Sequence, residues 1–246
     1  MGLMVGPMLY DKAFNISQYG EYTFENKPIP GLTFGLEYDF YPHKKWSLIS
    51  GLYVNSEAVY NIRYRILKKD LYPDWPEDMV DKAKAYAIKT FSFPLLLQLG
   101  LQTSEKSFIN FRTGLKLMYF PSGQAEFGLS ISDSALSDYR EIFGLRLESP
   151  DFPLFGSYVI GTGISYAMEK ILLKMNVIYV MNFQKTITGE YQFGNLLSSP
   201  PTRGYYELTG NYLALQFSIH FKKPKNRWLK VNIHMDKDED PINLNK

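Results

Sequence analysis

The stretch Lys89–Gln102, KTFSFPLLLQLGLQ, constrains the fold more than any other part of the chain. Phe91, Phe93, Leu95, Leu97, Leu99 and Leu101 fall on one side of a two-residue period, and Thr90, Ser92, Pro94, Leu96, Gln98 and Gly100 on the other. That alternation is a β-strand with one strongly apolar face. At roughly 3.3 Å per residue it outreaches an ordinary globular strand. A long strand with a single greasy face suits a membrane crossing, so its Phe/Leu side is expected to face lipid or a partner. Pro94 removes a ladder hydrogen bond, and a bulge or local break is expected there.

Seven further stretches read as strands: Gly2–Tyr10, Gly31–Tyr41, Trp46–Asn55, Ser107–Phe120, Gly156–Ala167, Ile171–Phe183 and Asn211–Phe221. The connections alternate long and short. Pro42–Lys45, Thr103–Lys106 and Met168–Lys170 are tight turns, whereas Asp11–Gly31, Ser56–Ala87, Pro121–Pro153 and Gln184–Thr209 read as long polar loops. Within the second, Pro76–Tyr86 (PEDMVDKAKAY) carries helix-start signals, with Pro first, acids next and lysines after, so a short helix is expected. Short turns on one side and long loops on the other define an up-and-down transmembrane barrel with periplasmic turns and external loops. The expected fold is all-β: an antiparallel barrel of about eight strands over residues 1–221, followed by a periplasmic tail over 222–246.

The polar faces agree with this. Glu37, Asp39, Arg112, Lys116 and Lys174 sit mid-strand opposite the apolar faces. A water-soluble barrel would place such charges outside. Here the continuous aromatic and aliphatic face is too large to leave in water, so the charges point into the lumen. Eight strands leave room only for side chains, and buried charges must pair. Glu37 or Asp39 is therefore expected to meet Arg112, Lys116 or Lys174. Aromatic girdles are expected from Tyr38, Phe40, Tyr41 and Trp46 on the turn side and from Tyr119, Phe120 and Phe183 on the loop side.

The chain has no Cys, which excludes a disulfide framework, and its formal net charge of +2 is no nucleic-acid footprint. No run of eighteen apolar residues makes a membrane helix. No basic start with an apolar core precedes the first strand, so an exported chain of this kind is expected in its mature form, its leader removed, in an outer membrane. In the tail, Trp228, Leu229, Val231 and Ile233 lie in an alternating stretch able to add to a partner's sheet edge, followed by the acidic run Asp236–Asp240.

Signals for chemistry are sparse. His43, His220 and His234 share no metal-ligand spacing, and there is no phosphate-binding glycine loop. The acidic run lacks the spacing and glycine of a calcium loop. No catalytic residue, metal or cofactor is expected. One enzymatic alternative rests on Ser218 and His220, two residues apart on one strand face, as a lipid-modifying pair at a membrane rim.

Phe93–Leu97 (FPLLL), Gly161–Tyr166 (GTGISY) and the closing NYLALQFSIHF resemble the PorT-type outer-membrane β-barrel family over about Gly2–Phe221. The tail after Phe221 departs from its simplest members. The resemblance implies a removed signal peptide, an eight-stranded barrel, no catalytic residues and, for some members, a place in secretion or gliding machines. The expected function is a non-enzymatic accessory or scaffold subunit of a multiprotein outer-membrane complex. Its expected partners are membrane lipid and outer-membrane or periplasmic proteins, with no nucleic acid. A stand-alone adhesion barrel acting through its loops is the first alternative.

Overall fold

The computed structural model describes residues 1–41, 45–133 and 138–221. Among the described residues fourteen strands are formed: β1 (Gly2–Tyr10), β2 (Phe14–Tyr19), β3 (Phe24–Asn26), β4 (Ile29–Asp39), β5 (Trp46–Ile66), β6 (Met79–Gln102), β7 (Ser107–Tyr119), β8 (Gln124–Asp133), β9 (Asp138–Glu148), β10 (Leu154–Ala167), β11 (Ile171–Asn182), β12 (Ile187–Phe193), β13 (Thr202–Leu208) and β14 (Tyr212–Phe221). Eight of them close a barrel in the order β1-β4-β5-β6-β7-β10-β11-β14, with β14 paired back onto β1 and every neighbour antiparallel. Closure leaves no strand edge to be satisfied within the bilayer.

The outer surface of this barrel is apolar because alternate residues of every strand are. Leu3, Val5 and Leu9 on β1, Phe34 and Leu36 on β4, Phe111 and Leu115 on β7, and Phe217 and Ile219 on β14 are all exposed. Phe91, Phe93, Leu95, Leu97 and Leu101 join them, and Leu99 is half-exposed on the same face. A ten-residue strand such as β14 matches the roughly 9–11 residues a tilted membrane strand needs. Tyr38, Phe40, Tyr41 and Trp46 are exposed at the turn end, and Tyr119 and Phe183 at the other. Phe120 is not a girdle residue: its side chain is buried in the core described next.

The long connections are not irregular loops. β2, β13, β12, β9 and β8 form a second, five-stranded antiparallel sheet beyond the barrel. It faces the extended upper halves of β5 and β6, to which β3 adds a short third strand. Between them lies the larger apolar core of the molecule, including Phe24, Ile62, Tyr64, Phe120, Phe143, Leu145, Tyr191, Phe193 and Tyr206. Phe143 sits at its centre, with ring centroids 4.6 Å from Phe193, 4.9 Å from Tyr64 and 5.7 Å from Phe24. Sequence inspection misses these strands because Gly, Ser and charged residues dilute their alternation.

Pro76–Tyr86 is not a helix. β6 starts at Met79 and pairs with β5 from Ile66↔Met79 downward. The helix-start signals are overruled by tertiary pairing: Ala83 and Ala85 turn toward the core while Lys82 and Lys84 turn outward, a period of two. At Pro94 there is a local break but no bulge: on the β5 side the ladder loses its partners between Ser50↔Leu95 and Tyr53↔Ser92 with register kept, while the register with β7 runs unbroken. A shift in register lies higher, where Val59 on β5 and Ala87 on β6 each stay unpaired between Glu57↔Ile88 and Tyr60↔Ala85.

Candidate functional site

Two parts of the molecule concentrate polar side chains: the barrel lumen and the outward face of the external β domain. In the lumen, Glu37 on β4 and Arg112 on β7 are both fully buried and face each other across the barrel. Arg112 donates from Nη2 to Glu37 Oε1 at 3.1 Å, from Nη1 to Oε2 at 3.3 Å, and from Nε to Gln98 Oε1 at 2.8 Å. Tyr53 OH donates to Glu37 Oε2 at 3.1 Å, and His220 Nε2 lies 3.0 Å from Oε1. The planar guanidinium supplies the fork that a two-oxygen carboxylate accepts. Lys174 Nζ donates to Asp39 Oδ2 at 2.9 Å.

Lys116 joins neither carboxylate. It donates to Tyr212 OH at 2.7 Å, lies over the Tyr212 ring, and interacts electrostatically with Glu57. Glu57 in turn accepts from Thr90 Oγ1 at 2.7 Å. Glu57 falls in the stretch that reads as a loop from Ser56 onward, so the sequence does not single it out. The alternation Tyr53, Asn55, Glu57 along one continued strand face was the available signal. A smaller apolar cluster that includes Met8, Ile49, Leu96, Val159 and Ala214 also occupies the interior.

The pair considered for lipid chemistry lies in the lumen. Ser218 and His220 both point inward on β14, near the turn end, and the His220 ring is engaged by Glu37. His220 is the one histidine among the described residues; His43 and His234 lie outside them. The tail residues Trp228, Leu229, Val231 and Ile233 also lie outside the described residues. Among the described residues no cluster of three or more His, Asp and Glu is arranged to hold a metal.

The external β domain is fastened at one buried carboxylate. Asp70 ends a 3-10 turn, Lys68–Asp70, in the connection from β5 to β6. It accepts from Tyr22 OH at 2.5 Å, Ser199 N at 2.7 Å, Ser199 Oγ at 2.8 Å and Ser198 N at 3.0 Å. Three connections, β2–β3, β5–β6 and β12–β13, thus meet on one side chain. Burial alone would raise the Asp70 carboxyl, but the donors from Tyr22 and Ser199 and the Ser198 and Ser199 amides outweigh it and hold it below its ordinary value. Burial and the bond to Asp70 together push the Tyr22 hydroxyl up to about 12. Gly20, at φ +87°, makes the turn that brings Tyr22 inward; a Cβ there would collide with Thr202.

The outward face of the five-stranded sheet is polar and charge-balanced. Register places Glu126, Arg146 and Glu190 side by side on β8, β9 and β12. Arg146 Nε donates to Glu126 Oε1 at 2.7 Å, and Arg203 pairs with Glu190. The next row holds Gly128 and Gly144 opposite each other, beside Gln192 and Arg203. Two adjacent glycines leave a cleft of about 530 Å³ between the rows. A second hollow of about 350 Å³ shares Glu141, Gly144 and Gln192 and runs toward Tyr19 and Asn195. The groove offers hydrogen-bonding groups of both signs on a rigid β surface.

No family model matches the chain, and no curated protein matches it. Solved structures do resemble it. The outer membrane protein OprG from Pseudomonas aeruginosa shares 15% identity at a TM-score of 0.39, covering 89% of this chain and 94% of that one. Ail, the attachment invasion locus protein of Yersinia pestis, shares 10% at 0.30, covering 88% and 96%. The outer membrane protease OmpT from Escherichia coli shares 10% at 0.35, covering 90% and 97%. Scores this low carry no argument about activity. The closed antiparallel sheet, the apolar outer belt and the charged lumen make this chain an eight-stranded outer-membrane β-barrel.

Proposed function

We propose that this protein is a non-enzymatic accessory or scaffold subunit of a multiprotein outer-membrane complex, in which the barrel is the anchor and the external β domain is the docking element. The observation that carries the reading is the continuity of the two. β5 and β6 each extend as one strand from the membrane belt into the external core, and the sheet that carries the groove packs on that core, so the groove is held relative to the bilayer. A rigid platform loses little conformational freedom when a partner docks. The interlocked lumen supports an anchor role over a conducting one. The resemblance to the PorT-type family is in line with membership of an envelope machine.

The test is native purification after cross-linking in cells, followed by mass spectrometry. A stoichiometric partner is expected, and the double variant Arg146→Glu/Arg203→Glu in the groove is expected to lose it while the barrel remains folded. Recovery of the protein alone would sink the idea. The outward orientation of the groove favours a second reading, a stand-alone adhesion barrel. That reading gains if the same variant abolishes attachment to surfaces while complex partners are retained.

A further inference from the structure

The two outward faces of the external β domain differ in how their charges are arranged. On the five-stranded sheet and its edge, three cations each have an acid: Arg146 with Glu126, Arg203 with Glu190, Lys185 with Glu207. On the β5–β6 face, Arg63 and Lys82 stand directly opposite each other in the ladder, both exposed. Like charges in that position repel. Among the described residues neither side chain makes an ion pair. The nearby acids are committed in part: Glu25, opposite Arg63 on β3, pairs with Lys27, Asp78 pairs with Arg65, and Asp81 accepts from Tyr64 OH and the Lys82 amide, leaving the exposed Glu77.

This basic face continues down to the membrane. Lys89 is exposed on β6 two residues above Phe91, on the same side as the lipid-facing Phe91, Phe93 and Leu95. Lys84 and then Lys82 follow upward on the outward face. Cations therefore rise in one stripe from the edge of the apolar belt into the external domain. We propose that Lys89, Lys82 and Arg63 bind the anionic sugar and phosphate groups of a glycolipid in the outer leaflet. The alignment of the stripe with the lipid-facing side of the same strands selects a membrane glycolipid as the occupant: its acyl chains lie against Phe91 and Phe93, and its anionic groups project along the cations.

The experiment measures binding of purified lipopolysaccharide to the detergent-solubilised, full-length barrel at several salt concentrations. Lys89→Gln/Lys82→Gln/Arg63→Gln is expected to weaken binding about tenfold and to flatten its salt dependence, since exposed charge pairs contribute little singly and add as a group. Lys106→Gln/Lys170→Gln, in the turns at the opposite end, is expected to leave binding unchanged. Fold is read from heat-dependent gel mobility; if the triple variant does not fold, Lys89→Gln and Arg63→Gln singly, each expected to weaken binding about twofold, decide. Unchanged affinity in the folded variants overturns the proposal. So does equal affinity for a soluble polyphosphate, which would remove the lipid as the source of the anion.

Discussion

The membrane half and the external half of this molecule share β5 and β6, and these two strands carry opposite polarity in the two halves. Below the interface β5 turns Tyr53, Asn55 and Glu57 inward and Leu52 outward; above it, Tyr60, Ile62, Tyr64 and Ile66 turn inward and Arg63 and Arg65 outward. β6 does the same, with Thr90 and Ser92 inward below and Ala83 inward above. The switch is the pair of skipped residues, Val59 and Ala87. One extra residue on a strand exchanges its faces. Because both strands gain one, their register resumes while both invert together. The outer half then obeys the rule for water, apolar inside, and the lower half the rule for lipid, polar inside.

The two halves should therefore fail differently. The largest effect is expected in the lumen. Arg112→Met leaves Glu37 buried beside fewer donors, and breaking a buried pair from one side costs about 3–5 kcal/mol. Heat-dependent gel mobility should show loss of the folded barrel at a markedly lower temperature. The double variant Arg112→Met/Glu37→Leu should recover much of the loss, because an apolar pair of similar volume removes the stranded charge. Equal behaviour of single and double variants would mean that the pair is not what organises the lumen.

In the external half the sensitive element is packing. Phe143→Ala empties the centre of the aromatic core, and such truncations cost about 3–5 kcal/mol. Here the damage should stay local. Limited proteolysis is expected to cut the β8–β9 and β12–β13 region while the membrane strands keep their heat-dependent mobility. A cooperative collapse of both halves would show that the barrel depends on the domain above it.

This division also explains what the sequence discloses. Lipid-facing alternation such as Phe91–Leu101 is strong because nothing but lipid lies on that side, so eight strands and the inward charges Glu37, Asp39, Arg112, Lys116 and Lys174 are legible. The external strands bury only one side against an internal core and carry Gly128, Gly144 and Gly204, so they read as loops. Pro76–Tyr86 has the local signals of a helix start, yet from Met79 to Tyr86 it pairs with β5. The groove at Gly128 and Gly144 depends on register between strands distant in sequence, which no local pattern encodes.

The smallest effect is expected at Asp70, where the external half is tied together by hydrogen bonds rather than packing. Asp70→Asn keeps the shape but weakens bonds donated to a carboxylate, at about 1–3 kcal/mol. The same clamp sets a pH window. The Asp70 carboxyl is held below its unfolded value of about 3.9, so its contribution is present above that pH and is lost as pH falls through the folded value. The Tyr22 hydroxyl is raised to about 12, so its contribution is present below about 10 and is lost as pH climbs from there toward 12. Hydrogen exchange at the Ser198 and Ser199 amides, corrected for intrinsic rate, should show protection falling at both ends of the wild-type range. In Asp70→Asn the acid limb should vanish, and in Tyr22→Phe the alkaline limb. If both limbs persist in both variants, the opening is set elsewhere, and the three connections are held by the aromatic core alone.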